Sequence, residues 1–327
     1  MTGTRALVGD IGGTKTNLAL ARFDGERWQL SAPRRHASAS ATSLEAIVRA
    51  YLDATGETVE LAAFAVAGPV ADDRCVTTNL PWHLDARALE RELGLERVRL
   101  LNDLEAVAWA VPILDAGQLH TLHAGERARG NACVVAAGTG LGEAGLYWDG
   151  ARYHPFATEG GHTTFAPTTT REFALAQYLG ARFDHVSWER VASGMGVVNI
   201  HGFLRERSGT PTPDWLSEAM ATGDAGAAIA DAARRDACRV CVETIELFAT
   251  LYGREIGNAA LSHMARGGIY LAGGVTLGVL DLLERGPFLD AIFDKGRMGA
   301  LVRRMPVHVI REPHAALYGA ARCVSLD

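Results

Sequence analysis

Apolar and polar positions alternate from the start of the chain. ALVGD is an apolar run, IGGT a glycine turn and TNLALARF an alternating segment, which together predict a β-hairpin. Asp24-Gly25 signals a second turn before WQL. From Thr42 to Thr55 the residues Leu44, Ile47, Val48, Tyr51 and Leu52 recur at helical spacing. LAAFAVAGPV reads as a buried strand, TTNLPWHLD as a loop, about Asp85 to Leu93 as a helix and RVRLLND as a strand. The resulting order, β-β-β-α-β-α-β, is a mixed α/β lobe.

From about Val111 the pattern restarts. ACVVAAGT predicts a strand, GLGE a glycine turn, AGLYW a second strand, Asp149-Gly150 a two-residue hairpin connection and ARYHPF a third strand. A mostly helical region extends from Thr170 to about Met264. GGIYLAGGVT is a buried strand ending in glycines, PVHVI another strand, and HAALYGAARCV a closing amphipathic segment. Both halves therefore begin with strand, glycine turn, strand.

Gly140, Gly142 and Gly145 spell G-x-G-x-x-G after an apolar run, the form of a dinucleotide-binding fingerprint. That fingerprint needs its third glycine to open a helix whose N-terminus holds the pyrophosphate. Here Leu, Tyr and Trp follow Gly145, and then a hairpin signal. A Walker A loop is excluded too, because no G-x-x-x-x-G-K-[ST] occurs.

Composition narrows the partners. The 327 residues suit two lobes, and 48% hydrophobic with 21% charged residues is ordinary for a globular protein. A net charge of -6 lacks the basic footprint of a nucleic-acid binder. No secretory signal and no apolar stretch near membrane-spanning length are visible, so the expected location is the cytoplasm, with no membrane partner. The five cysteines, Cys75, Cys133, Cys238, Cys241 and Cys323, are scattered. Cys238 and Cys241 form C-x-x-C inside a helical pattern with no second ligand pair, which favours buried thiols over a metal or redox site.

Three glycine turns at strand ends would bring backbone N–H groups close to phosphate oxygens, with Thr14 and Thr139 adding hydroxyls. Asp10, between strand and turn, has the character of a ligand to phosphate-bound Mg²⁺, directly or through water; the alternative is a turn-stabilising aspartate. Asn102-Asp103 ends a strand, where side chains face a crevice. In phosphoryl transfer to an alcohol one carboxylate accepts the hydroxyl proton, and Asp103 is the candidate, although it also reads as the N-cap of LEAVAWAV. Glu159-Gly160-Gly161-His162 sets a carboxylate and an imidazole either side of two glycines, and Glu189 precedes a glycine-containing turn. Such a set suits a polyhydroxylated ligand, against the plainer alternative that Glu189 is solvated or caps a helix.

GDIGGT (Gly9 to Thr14), LLNDLEAVAWAVP, AAGTGLG, EGGHTTFAP, ERVASGMGVVNIH, YLAGGV and FDKGRM occur in order over nearly the whole chain. In this the sequence resembles the bacterial glucokinase family. The resemblance implies a two-lobed actin-like ATPase (ribonuclease-H-like) fold, each lobe a mixed β-sheet with flanking helices, with ATP and sugar in the cleft. It implies a small lobe over 1–112, completed by the C-terminal helix 313–327, and a large lobe over 113–312. By motif, Asp103 would take the proton from the glucose 6-hydroxyl, and Asn102, Asp103, Glu159, His162 and Glu189 would bind the sugar hydroxyls. Gly9, Asp10, Ile11, Gly12, Gly13 and Thr14, with Gly138, Thr139 and Gly140, would hold the ATP phosphates, with Mg²⁺ at Asp10 through water. A homodimer is implied by the family alone. Two departures stand out. The ending EPHAALYGAA differs from the family's N-P-G-L-L-G type, and Lys15 stands where others carry Asn, read here as a surface residue. The cysteine-rich zinc motif of the sister repressor and sugar-kinase family is absent, so no structural zinc is expected. A sugar-sensing regulator on the same fold would need an added helix-turn-helix, for which residues 1–8 leave no room.

Overall fold

The computed structural model describes residues 3–77 and 80–325. Thr78 and Asn79 of the expected loop TTNLPWHLD, and the last two residues of the expected closing helix, lie outside the described residues. By its internal contacts the chain divides into Met1–Gln118 with Tyr153–Ala157 and Glu312–Asp327, and Leu119–Arg152 with Thr158–Arg311.

The first unit is built on a five-stranded sheet in the order Trp28–Ala37, Lys15–Phe23, Arg5–Ile11, Leu61–Val66, Arg97–Asn102. Tight turns join the first three strands antiparallel, as the hairpin signals predict. The last three are parallel, which requires crossovers, and the helices Leu44–Thr55 and Ala86–Leu93 supply them. Both faces of the sheet are covered. Leu7, Leu18 and Phe64 on one face pack against Leu44, Val48, Tyr51 and Leu89. Ala6, Val8, Ala19, Ala63 and Ala65 on the other meet Leu317, Ala320 and Ala321 of the helix Ala315–Val324. Burial on both sides is why these strands read as continuous apolar runs.

Three boundaries differ from the sequence reading. The first helix starts at Leu44, capped by the Ser43 side chain, and not at Thr42. The apolar strand ends at Val66, and a small sheet follows from Val70–Ala71, Arg74–Val76 and His83–Asp85. Its first hairpin turns at Asp72 and Asp73, both left-handed (φ 51° and 56°), a conformation in which two aspartates do the work of the usual glycine. Asn102, and not Asp103, caps the helix Asp103–Ala110.

In the second unit the sheet runs Leu141–Trp148, Ala132–Ala137, Gly268–Ala272, Val307–Ile310, Leu119–His123. The outer pairings are antiparallel and the inner two parallel. Leu119–His123 escaped the sequence reading because LHTLH is short, half-polar and at an edge. The expected third strand forms over Tyr153–Thr158, but the connection before it spans Asp149 to Arg152, with the Asp149 carboxylate accepting from the amides of Ala151 and Arg152 at 2.7 and 2.8 Å. The helical region is Thr170–Gly180, Gly194–Ser208, Asp214–Thr222, Ala225–Arg234 and Arg239–His263. The last buries Phe248, Tyr252 and Ile256 against this sheet's core. Among the described residues no helix is long and apolar enough to cross a membrane.

Candidate active site

In the first unit two strand ends carry the candidate residues. Gly9, Asp10 and Ile11 are still strand. Gly9 has a packing reason to be glycine, since a Cβ there would stand 2.6 Å from Phe64 Cδ1 and 2.9 Å from Leu18 Cδ2. Ile11 is core. The turn proper is Gly12 to Thr14, closed by the Gly12 amide donating to the Lys15 carbonyl at 2.9 Å. Buried Ser38 braces it, donating to the Gly12 carbonyl at 2.8 Å while its own amide donates to Thr14 at 3.0 Å. Lys15 is exposed on the strand beyond.

Asp10 accepts from Asn17 Nδ2 at 3.1 Å, and Arg35 Nε donates to Asn17 Oδ1 at 3.2 Å, so the carboxylate is aimed by a hydrogen-bonded chain. Burial pushes the Asp10 carboxyl above its ordinary range, opposed by the Asn17 bond and the charges of His314 and Arg35. Burial outweighs the nearby charges of His314 and Arg35, so a dication would complement this carboxylate, and the residue fits the implied Mg²⁺.

Asn102 Oδ1 accepts from the amides of Leu104 and Glu105 at 3.0 and 3.3 Å, and its Nδ2 donates to the Gly68 carbonyl at 3.2 Å. Asp103 is half-buried as the first residue of the helix, its Oδ1 accepting from Leu104 N at 2.9 Å. The two neighbours thus divide the labour: Asn102 satisfies the helix end and fixes the loop at Gly68, while Asp103 leads the helix.

In the second unit the glycine turn lies at Gly138 to Gly140, two residues earlier than GLGE. Leu141, Gly142 and Glu143 are already strand, paired with Ala137, Ala136 and Val135. Gly142 and Gly145 therefore sit within a sheet, which disposes structurally of the dinucleotide fingerprint. The turn's carbonyls are occupied: Gly138 O accepts from Gly194 N at 2.8 Å and Gly140 O from Gly138 N at 2.9 Å. Beside this turn lies a cavity of about 740 Å³, lined by Gly138, Thr139, Gly194, Asp224, Gly226 and Val275, all from this unit. Its walls of small residues, with the carboxylates of Asp224 and Asp231 and the guanidinium of Arg234, suit a nucleoside. Spacing alone gave no sign of Asp224 or Gly226. Their only local signal is Asp224 at the N-cap of Ala225–Arg234.

Glu189 does not cap a helix. Ser193 caps Gly194–Ser208, and Glu189 Oε2 instead accepts from the Leu141 amide at 3.1 Å. A Cβ on Gly140 would stand 2.3 Å from that oxygen. The turn Gly160–His162 rests on the next residues of the same strand. A Cβ on Gly160 would lie 2.1 Å from Glu143 Oε2, and one on Gly161 2.0 Å from the Leu141 carbonyl. Glu159 and His162 stay exposed, with Glu159 Oε2 3.9 Å from His162 Nε2. The structure thus gathers Glu159, His162 and Glu189 around Gly140 to Glu143, a convergence that sequence spacing could not establish. Asn102 and Asp103 belong to the other unit.

Beneath the Gly160–His162 turn lies a group the sequence reading missed. Glu143 and Glu255 are both buried and share a side-chain hydrogen bond, and Asn258 Nδ2 donates to Glu255 Oε2 at 2.8 Å. Burial raises both carboxyls well above the ordinary range, and for Glu255 the adjacent Glu143 charge adds to it. Cys238 stands just before the helix Arg239–His263. The Cys241 thiol is buried and its pKa raised by burial, which makes it inert, whereas Cys238 is only half-buried and departs from the expected buried thiol. Among the described residues no three His, Cys, Asp or Glu side chains gather as a metal site.

Residues 7–326 match the family model described as Glucokinase. A glucokinase of Nostoc punctiforme is 38% identical, the match covering 98% of this chain and 99% of that one. A glucokinase of a Caulobacter species is 37% identical over 98% of this chain and 95% of its own. Among solved structures, the glucokinase of an Antarctic psychrotroph superposes with a TM-score of 0.86 at 28% identity, covering 99% of each chain.

Proposed function

The chain belongs to the glucokinase family, and from that premise we propose that it transfers the γ-phosphoryl group of ATP to the 6-hydroxyl of glucose, with Asp103 as the base. The carrying observation is the meeting, on one strand, of two kinds of chemistry. Glu189, Glu159 and His162 surround Gly140 to Glu143, and the turn leading into that strand, Gly138 to Gly140, borders the cavity. Acceptors for sugar hydroxyls and a backbone turn for phosphates are thus held in fixed register.

In this reading Asn102, Asp103, Glu159, His162 and Glu189 bind the glucose hydroxyls. The Gly12 to Thr14 turn and the Gly138 to Gly140 turn bind the ATP phosphates, and the cavity takes the nucleoside. Gly9 and Ile11 support the first turn through packing. Asp103 removes the hydroxyl proton as the oxygen attacks, and the rest of the constellation positions the reactants and balances charge. Mg²⁺, when bound with the nucleotide, supplies neutralisation of phosphate charge, and Asp10 would hold it through water. We propose further that the enzyme acts in the cytoplasm as a homodimer.

The direct test is ADP release by the purified protein, coupled to an optical readout, with glucose and ATP each required. In thermal melts, glucose and ATP added separately should each stabilise, by about 2.7 kcal/mol at a hundred times Kd, and NAD should not. A protein that melts higher with NAD and ignores glucose would overturn the reading. Chelating Mg²⁺ should abolish turnover while leaving the glucose-induced stabilisation in place, because the metal's residue, Asp10, is not among the proposed sugar ligands.

Gly140→Ala tests the convergence. Its Cβ would collide with Glu189 Oε2 at 2.3 Å, so the carboxylate must swing away and release the Leu141 amide. The expected cost is about 1–3 kcal/mol of stability. The KM for glucose should rise about tenfold or more, as expected for 1.4 kcal/mol or more of lost sugar binding. An unchanged glucose KM would remove Glu189 from the sugar site.

A further inference from the structure

We propose that Glu143 and Glu255 act as one proton-sharing carboxyl pair that positions the Glu159–His162 turn, so that glucose binding by this turn depends on the pair keeping its proton. The inference rests on the proposed role of Glu159 and His162 as sugar ligands.

The geometry makes the turn a dependent of the pair. Gly160 lies directly on the Glu143 carboxyl, with no room even for a methyl group. Thr158 Oγ1, just before the turn, donates to the Glu143 carbonyl at 3.0 Å, and also accepts from the Gly160 amide at 3.3 Å. A small movement of Glu143 is therefore passed to both ends of the Glu159–Gly160 step. Glu143 in turn is held by Glu255, and two carboxyl groups can share a hydrogen bond only while one of them carries a proton. Glu143 Oε1 is buried with no hydrogen-bond partner, an expensive arrangement for a full anion and a tolerable one for a protonated acid.

Every charged group around the pair leaves that requirement standing. Lys295, the nearby cation, donates to Asn258 Oδ1 and to the Arg254 carbonyl at 2.7 and 2.8 Å, and is itself depressed by burial. The Arg254 guanidinium is paired with Glu172, which secures Thr168 through 2.8 and 3.1 Å bonds. Asp294 acts on Lys295, while Cys133 and Tyr252 face Glu143 and are buried and neutral. Glu159 and His162 lie on the turn itself. The Lys295 charge favours ionisation of Glu255, but burial and the adjacent Glu143 outweigh it, and the Lys295 ammonium spends its hydrogen bonds on Asn258 and the Arg254 carbonyl. Because both carboxyls are raised, the native fold binds protons that the unfolded chain has released above its ordinary carboxylate range. Stability therefore falls as pH rises towards and through the native values, with the shared proton lost last. Loss of that proton sets two buried anions against each other beneath Gly160.

The test is the glucose KM at saturating ATP from about pH 6.5 to 9, for the wild-type enzyme, Glu255→Gln and Glu143→Gln. The wild-type KM should rise about tenfold with much less change in kcat, the linkage expected of about one pKa unit. In either Gln variant one member is permanently neutral, and the rise should flatten to at most about threefold. A variant that keeps the full wild-type rise overturns the inference. Glu159→Ala is the separating control. If it fails to raise the glucose KM, the sugar-ligand reading itself is wrong. If it raises KM and the Gln variants retain the wild-type slope, only the proton-sharing pair is wrong. Infrared difference spectra of the wild-type protein need no variant to fold: a protonated carboxyl band should persist at pH 7 and vanish on the same titration as the KM change. No such band at pH 7 would also overturn the inference.

Discussion

Asp103→Asn lowers kcat by about 10²–10⁴, the usual worth of a positioned general base, while the Kd for glucose changes no more than a few-fold. This is the expected result, and the local structure makes it interpretable. Asn is isosteric with Asp and still accepts from the Leu104 amide, the bond that Asp103 Oδ1 makes at 2.9 Å. It cannot take up a proton. Removing the charge from a first-turn position costs about 0.3–1 kcal/mol of helix-dipole interaction, too little to unfold the chain. The helix end does not depend on Asp103, because Asn102 carries the cap to Leu104 and Glu105. A collapse of kcat with glucose binding retained therefore locates the effect in proton transfer. Asn102→Ala should behave differently, losing the cap and the bond to Gly68 together, with about 1 kcal/mol of stability and a raised glucose KM. Isothermal titration with glucose beside steady-state ADP release separates the two. Near-normal turnover by Asp103→Asn would exclude Asp103 as the base.

The fold was legible where burial is two-sided. ALVG, LAAFAV and ACVVAA are apolar because their strands are buried on both faces, and each forms a central strand. Legibility failed at edges and at turns made without glycine. LHTLH is half-polar because it pairs on one side only, and Asp72-Asp73 makes its left-handed turn with aspartates. Individual site residues, too, could be picked by type and by motif, but their convergence could not. Glu189 lies 48 positions from Leu141, and only the folded strand shows that its carboxylate meets that amide. The carboxyl pair was hidden for a related reason. Glu143 sits in GLGEAG and Glu255 in a long helix, where an isolated glutamate is ordinarily solvated, and nothing local announces burial. The glycines were more informative than their motifs suggested. A Cβ at Gly140, Gly160 or Gly161 would fall on one specific atom, Glu189 Oε2, Glu143 Oε2 and the Leu141 carbonyl oxygen respectively.

Gly319→Ala carries that argument to its largest expected effect on stability. Gly319 lies in the helix Ala315–Val324, against the helix Asp103–Ala110 within the same unit. A Cβ there would fall 1.7 Å from the Ala106 carbonyl oxygen and 2.9 Å from the Ala110 amide nitrogen. Elsewhere an offending contact can yield by rotating a side chain, as Glu189 can. Here both obstacles are backbone atoms of a regular helix, so the helices themselves must separate until the contact reaches roughly 3.5 Å. Separation also lifts Leu317, Ala320 and Ala321 from the alanine face formed by Ala6, Val8, Ala19, Ala63 and Ala65. The expected cost is about 4 kcal/mol or more, the range reserved for disrupted cores, with a fall in Tm of about 10 °C. Since Asn102 and Asp103 head the displaced helix, any folded fraction should also turn over slowly. The matched control is Gly180→Ala, at the last residue of Thr170–Gly180, where a new Cβ meets nothing within 4 Å. Alanine there should be neutral or stabilise by up to about 1 kcal/mol. Circular-dichroism melts of the two variants beside the wild type decide the matter. If Gly319→Ala melts with Gly180→Ala, the close backbone contact is not what holds the C-terminal helix on its sheet.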